Sequence, residues 1–207
     1  MQHQEILHRC FRCGFCKLPA DYSDINCPAY LKYRFESFSP GGRMWLIRAW
    51  LDGEIKNNER LQEIFFSCAT CGNCMEHCIF DKFRESILEA FISAKEEMVG
   101  QGTLPPAVRD YLTRVFEHGN PYKAPQKKRG NWGRQLEVQQ YEGQQYLFFV
   151  GDVGAFDPRG LEIVHSVAQL FQKLGVSFGI LGTLEGTDGN EARALGEAEL
   201  FRHLAEY

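Results

Sequence analysis

Several things are scarce or missing in this chain of 207 residues, and each absence excludes something. No apolar run approaches the ~20 residues needed to cross a bilayer, so no membrane span is expected. The opening residues, MQHQEILHRC, hold no apolar stretch of signal-peptide length, and the chain reads as cytoplasmic. There is no basic excess: 23 Lys and Arg against 27 Asp and Glu leave a net charge of -4, which disfavours nucleic acid as a partner. A glycine-rich dinucleotide fingerprint is missing too, since Gly151-Asp-Val-Gly154 is too short for one. Finally, the 129 residues after Cys78 contain no cysteine, unlike the disulfide framework of a short secreted chain.

Charge and periodicity divide what remains. Residues 119–136 carry five basic residues and no acid, whereas 137–207 carry four basic and eleven acidic ones. The stretch 119–144, rich in Pro, Gly and Lys/Arg and lacking helical or strand periodicity, reads as a basic connector between two domains. Its cluster Lys127, Lys128 and Arg129 reads as a solvated linker, or as a strap against an acidic partner surface. Before it the pattern is helical. Val108, Tyr111, Leu112, Val115 and Phe116 make one apolar face, Phe83, Ile87, Leu88, Phe91 and Ile92 make another within 81–99, and 43–51 follows Pro40-Gly41-Gly42. After it, 146–150 and 176–181 read as buried strands, with helices over 161–174 and 191–206. The expected architecture is α plus α/β, a helical domain over 1–118 followed by a partial βαβα unit over 145–207 with parallel strands. Two strands make a thin sheet, so this unit reads as part of a larger module.

All eight cysteines lie in two words and two outliers: Cys10, Cys13 and Cys16, then Cys27-Pro28; later Cys68, Cys71 and Cys74, then Cys78. Three cysteines each separated by two residues can wrap three corners of one cubane, and in two-cluster ferredoxins the fourth cysteine ligates the other cluster. Eight thiolates are what two [4Fe-4S] clusters need. That precedent favours a crossed arrangement, Cys10, Cys13, Cys16 and Cys78 on one cluster and Cys68, Cys71, Cys74 and Cys27 on the other. An uncrossed one, with Cys27 closing the first triplet, stays open. Structural zinc fits poorly, because a third cysteine two residues beyond a C-x2-C pair has no place in a tetrahedral site. Gly14 and Gly72 occupy the same slot in the two triplets, where a positive φ turns backbone N–H groups toward sulfur. Iron atoms held by four thiolates offer no open position, so the chemistry expected is one-electron transfer.

RCFRCGFC, Cys27-Pro28, SPGGRMWLIRAWLDG and SCATCGNCMEHC together resemble the helical-ferredoxin module of the heterodisulfide reductase family. Iron-sulfur subunits of glycolate oxidase, anaerobic glycerol-3-phosphate dehydrogenase and benzoyl-CoA reductase complexes belong to that family. The resemblance implies an α-helical ferredoxin fold with two [4Fe-4S] clusters. Residues 145–207 resemble the first half of the family's CCG domain, with Asp152 where its first Cys would stand and Thr187-Asp188-Gly189 in place of Cys-Cys-Gly. The register is kept and the thiol ligands are gone, and carboxylates replace thiolates poorly at a soft cluster site.

The leading expectation is therefore a non-catalytic electron-transfer subunit of an anaerobic oxidoreductase complex, fed by a flavoprotein or ferredoxin-type donor and serving a catalytic subunit. The alternative is a disulfide reductase or hydroxy-acid dehydrogenase subunit whose active part lies beyond this chain. Its only local candidates, Asp152, Asp157, Arg159, Glu185, Thr187 and Asp188, include neither thiol nor His. A third reading makes the metal a device that only holds the fold. Trp45 and Trp50 read as core or interface aromatics, and His165 as a satisfied packing residue.

Overall fold

The computed structural model describes residues 4–18 and 26–206. Contacts divide the chain into two compact units, Met1–Val108 with Glu191–Ala198, and Arg109–Asn190 with Glu199–Tyr207. The first is therefore discontinuous in sequence.

Unit 1 is helical. Gln4–Arg9 (α1), Pro28–Tyr33 (α2), Pro40–Leu51 (α3), Glu59–Phe66 (α4), Asn73–Glu76 (α5) and Ser86–Gly100 (α6) lie in it, and Pro106–His118 (α7) crosses its border. Local chemistry starts several of these. The Ser39 hydroxyl accepts from Gly42 N–H at 3.0 Å with Pro40 in the first turn of α3, and Asn58 caps α4 through Leu61 N–H at 2.9 Å. Ile6, Phe38, Ile47, Phe65, Ile87 and Met98 meet in the core between α1, α3, α4 and α6. Each such side chain contributes roughly 1.5–3 kcal/mol by leaving water. The helix expected over 81–99 begins only at Ser86, because 81–85 is taken up in turns that follow Cys78.

In unit 2 the parallel pair is present but short. Tyr146–Leu147 (β1) pairs with Phe178–Gly179 (β2), and Gln140 bridges Ile180 in the same sense, so the strands expected over 146–150 and 176–181 are two residues each. Asn131–Arg134 (α8) and Pro158–Lys173 (α10) share a core with Phe178 of β2, and Gly151–Phe156 (α9) packs on α10. Asp157 accepts from the N–H groups of Arg159 and Gly160, so α10 starts at Pro158, ahead of its apolar pattern. The core is aromatic: Phe171 meets Phe178 at 5.3 Å and Phe148 at 5.6 Å, and Trp132 meets Phe148 at 5.9 Å, all edge-on. The basic stretch takes part in this core rather than hanging free as a linker. Trp132, Asn120 and Arg129 are buried, and the Asn120 side chain ties down Tyr122 and Ala124. His165 does pack near Trp132, but its Nε2 has no hydrogen-bond partner among the described residues, so it is not satisfied.

The single helix expected over 191–206 is two, Asn190–Ala194 (α11) and Ala198–Ala205 (α12). Gly196 breaks it. Its φ is +84°, and a Cβ there would lie 2.5 Å from the Glu96 amide nitrogen. The piece 191–198 is held on α6 by this contact, by Arg193 donating to both Glu89 oxygens at 2.7 and 2.8 Å, and by the Lys95 ammonium donating to Ala194 O.

Candidate metal centres

Unit 1 gathers its free cysteines around two cavities. Cys10, Cys13, Cys16 and Cys78 line one of about 370 Å³, whose wall includes Ile6, Met44, Phe80 and Ile87. Cys27, Cys68, Cys71 and Cys74 line another of about 340 Å³, whose wall includes Arg43, Leu88 and Phe91. Each triplet thus shares its cavity with the outlying cysteine that lies nearer, in sequence, to the other triplet. The Asn73 side-chain amide, beside Cys74, donates to Asn26 O at 3.1 Å and holds the Cys27 segment against the second loop. Among the described residues, no three His, Cys, Asp or Glu side chains converge on a point that one metal ion could occupy.

The two loops repeat each other in backbone as well as in spelling. Gly14 and Gly72 have φ of +93° and +78°, as their shared slot predicts. One residue before each middle cysteine, Arg12 and Thr70 are also left-handed, at φ of 57° and 51°. Nothing in their side chains announces that second equivalence.

Burial pushes the Cys16 thiol up to about 12, helped by the neighbouring sulfurs of Cys10, Cys13 and Cys78, while a backbone N–H from Gly41 pulls the other way. Burial likewise raises Cys10, and it raises Cys74, where the sulfurs of Cys68, Cys16, Cys71 and Cys27 add to it. Buried thiols crowded together stay protonated unless positive charge enters. Bound iron would supply that charge, and these cysteines would then ligate it as thiolates. Four soft sulfur donors per cavity fit a [4Fe-4S] cluster, whose default chemistry is the gain or loss of one electron.

Two buried cations stand beside the second cavity. Arg43, 1% exposed, donates from Nε to Ile64 O at 2.9 Å and from Nη2 to Ser67 Oγ at 2.8 Å, with Nη1 4.0 Å from Cys27 Sγ. Lys95, also 1% exposed, donates from Nζ to Ala194 O at 2.8 Å and to Cys68 O at 3.2 Å. Burial lowers the Lys95 ammonium to about 8, the Cys68 sulfur opposing and Arg43 adding to the fall. The first cavity's cation, Arg12, is exposed and stacks on Trp45 at 4.2 Å. Trp45 in turn donates its indole N–H to Cys10 O at 2.9 Å. Arg43, Lys95, Asn73 and this role of Trp45 escaped the sequence reading; the only available signal was the proximity of Arg43 and Trp45 to the PGG turn.

Unit 2 does bring together Asp152 and Glu185, but around Arg129. This guanidinium, 1% exposed, contacts Glu185 Oε1 at 3.4 Å and pairs more closely with Asp152 Oδ1. Glu185 also accepts from Gly151 N–H at 2.9 Å and Val150 N–H at 3.2 Å. Its carboxyl sits above the ordinary range because burial outweighs these bonds and Arg129. Asp157 caps α10, and Asp188 accepts from Asn190 N–H. Four of the candidates for chemistry in this unit therefore have structural partners.

Residues 6–81 match the family described as the 4Fe-4S dicluster domain. The chain is similar to the probable iron-sulfur-binding oxidoreductase FadF of Bacillus subtilis, at 31% identity over 70% of this chain and 22% of that protein. It is similar to the EtfAB:quinone oxidoreductase of Syntrophomonas wolfei, at 30% identity over 69% of this chain and 21% of that protein. It is also similar to one of the subunits of the dihydromethanophenazine:CoB--CoM heterodisulfide reductase of Methanosarcina mazei, at 26% identity over 97% of this chain and 51% of that protein. The chain thus spans about a fifth of the length of the first two relatives and half of the third. No solved structure matches it. Among the described residues no helix is long and apolar enough to cross a membrane.

Proposed function

Because residues 6–81 carry a 4Fe-4S dicluster domain and the chain is related to iron-sulfur oxidoreductase subunits, we propose that it is an electron-transfer subunit holding two [4Fe-4S] clusters. One cluster takes Cys10, Cys13, Cys16 and Cys78; the other takes Cys27, Cys68, Cys71 and Cys74. The observation that carries this reading is the lining of two separate cavities by four cysteines each. When bound, such clusters supply one-electron chemistry without an open coordination site. The chain's own residues do the rest. The glycine turns at Gly14 and Gly72 bend the loops round the sulfurs, Ile6, Met44 and Ile87 give the first cavity an apolar wall, and Arg43 and Lys95 face the second with positive charge.

Residues 145–207 are read as a partial CCG-type unit whose thiol ligands are replaced, with 1–118 as the ferredoxin domain and 119–144 as a connector that packs into unit 2 through Asn120, Arg129 and Trp132. The parent assembly is a heterodisulfide-reductase-like oxidoreductase complex in the cytoplasm, with a flavoprotein or ferredoxin-type donor and a catalytic partner subunit. The names of the relatives, an EtfAB:quinone oxidoreductase and a heterodisulfide reductase subunit, support redox partners of this kind.

Anaerobically purified protein should contain about eight iron and about eight sulfide per chain, and dithionite should give the EPR spectrum of interacting reduced clusters. Four irons or fewer, or stoichiometric zinc, would overturn the proposal. The crossed arrangement has its own test. Replacing Cys10, Cys13, Cys16 and Cys78 together by Ser leaves one complete cluster if the ligands cross and none if Cys78 belongs with the second triplet.

A further inference from the structure

The two cavities repeat each other in backbone but not in electrostatics. The Cys27/Cys68/Cys71/Cys74 cavity has Arg43 in its wall and the Lys95 ammonium on the Cys68 carbonyl, both buried. Their other partners are Ile64 O, the Ser67 hydroxyl and Ala194 O, all neutral, so neither positive charge is cancelled locally. At the Cys10/Cys13/Cys16/Cys78 cavity Arg12 is exposed and screened by water, and Lys17, beside Cys16, is paired with the Glu36 carboxylate. That cavity has backbone N–H groups of Arg12 and Gly41 on its sulfurs instead.

Reduction adds one negative charge to a cluster. Burial alone opposes it, neighbouring positive charge favours it, and a charge in protein acts roughly fourfold more strongly than one in water. Two whole buried charges outweigh two amide dipoles and one screened guanidinium. Resting on the two-cluster reading above, we propose that Arg43 and Lys95 make the Cys27/Cys68/Cys71/Cys74 cluster the more oxidising of the two, the place where an electron comes to rest before it leaves the chain. A one-electron donor protein reduces the first cluster. That cluster gives the electron to the second and returns to its oxidised state, with no bond or proton moved. Arg43 and Lys95 act here as positioning residues for charge.

The test is an anaerobic EPR-monitored redox titration of the full chain, after its iron and sulfide content is measured. The wild type should show two one-electron steps. Lys95→Gln should move only the upper step, its oxidised-to-reduced ratio at fixed ambient potential rising about tenfold, a downward shift of about 59 mV. Lys95→Arg should leave both steps in place. Movement of the lower step, equal movement of both, or movement of neither would overturn the proposal. If Lys95→Gln loses a cluster, the wild type decides. Buried charges are little screened, so the separation of the two steps should persist from low to high ionic strength, and its collapse would overturn the proposal. An iron content below two clusters in the wild type instead sinks the function reading on which this rests.

Discussion

Both units bury positive charge, and they do so in opposite ways. In unit 2 the Arg129 guanidinium lies between two carboxylates, Asp152 and Glu185, so the protein supplies its own counter-charge. In unit 1 Arg43 and Lys95 are matched to carbonyls, a hydroxyl and cysteine sulfur. A buried charge with neutral partners costs several kcal/mol unless an opposite charge stands near it. A thiolate-ligated iron-sulfur cluster carries net negative charge, and unit 1 is arranged so that this charge arrives with the cofactor. In unit 2 Asp152 and Glu185 already supply that charge to Arg129.

The sharpest way to break this comparison is to remove the iron. Under anaerobic chelation, hydrogen exchange should rise throughout α3, α4 and α6, a loss on the order of several kcal/mol, while the Phe148, Phe171 and Phe178 core keeps its protection. Equal loss in both units would show that their charge economies are alike. Next in size, Arg129→Met leaves Asp152 and Glu185 facing each other, and unit 2 should lose about 3–5 kcal/mol in urea unfolding. Adding Asp152→Asn and Glu185→Gln should recover much of that, because the uncompensated charge is gone. In unit 1, Ser67→Ala removes one neutral partner of Arg43 and should cost about 1.5–3 kcal/mol in thermal melts followed by cluster absorbance, with iron retained.

The smallest effect concerns pH. Glu185 holds its proton more readily in the folded state than in the unfolded chain, whose ordinary value is 4.5. The folded state then binds more protons across the window between the two values, so stability falls as pH rises through it, and the full cost is present above it. Acidifying from neutrality toward the ordinary carboxylate value should raise the unfolding midpoint of unit 2, and Glu185→Gln should remove that gain.

The cysteine spacing, the glycine slots at 14 and 72, the PGG entry to α3 and the apolar faces of α6, α7 and α10 could be read from the sequence because each is local. What escaped reading depends on distance along the chain. Arg129 meets partners 23 and 56 residues away, and in the sequence it is one of five basic residues in a stretch without periodicity. Lys95 looks like a solvated position until Cys68 and Ala194 are seen beside it. The split of the last helix at Gly196 is set by the close approach of Glu96, 100 residues earlier in the chain, which no pattern within 191–206 records.

That same split gives the molecule an order of assembly. The ribosome delivers Met1–Val108 first, yet unit 1 also needs Glu191–Ala198, and all of Arg109–Asn190 must emerge in between. At a synthesis rate of about 5–20 residues per second, the interval is on the order of ten seconds. Throughout it Ala194 has not yet reached the Lys95 ammonium, and the last wall on α6 is open. The cysteine loops made earliest therefore wait, within reach of iron delivery, for the part of their own unit that is translated last.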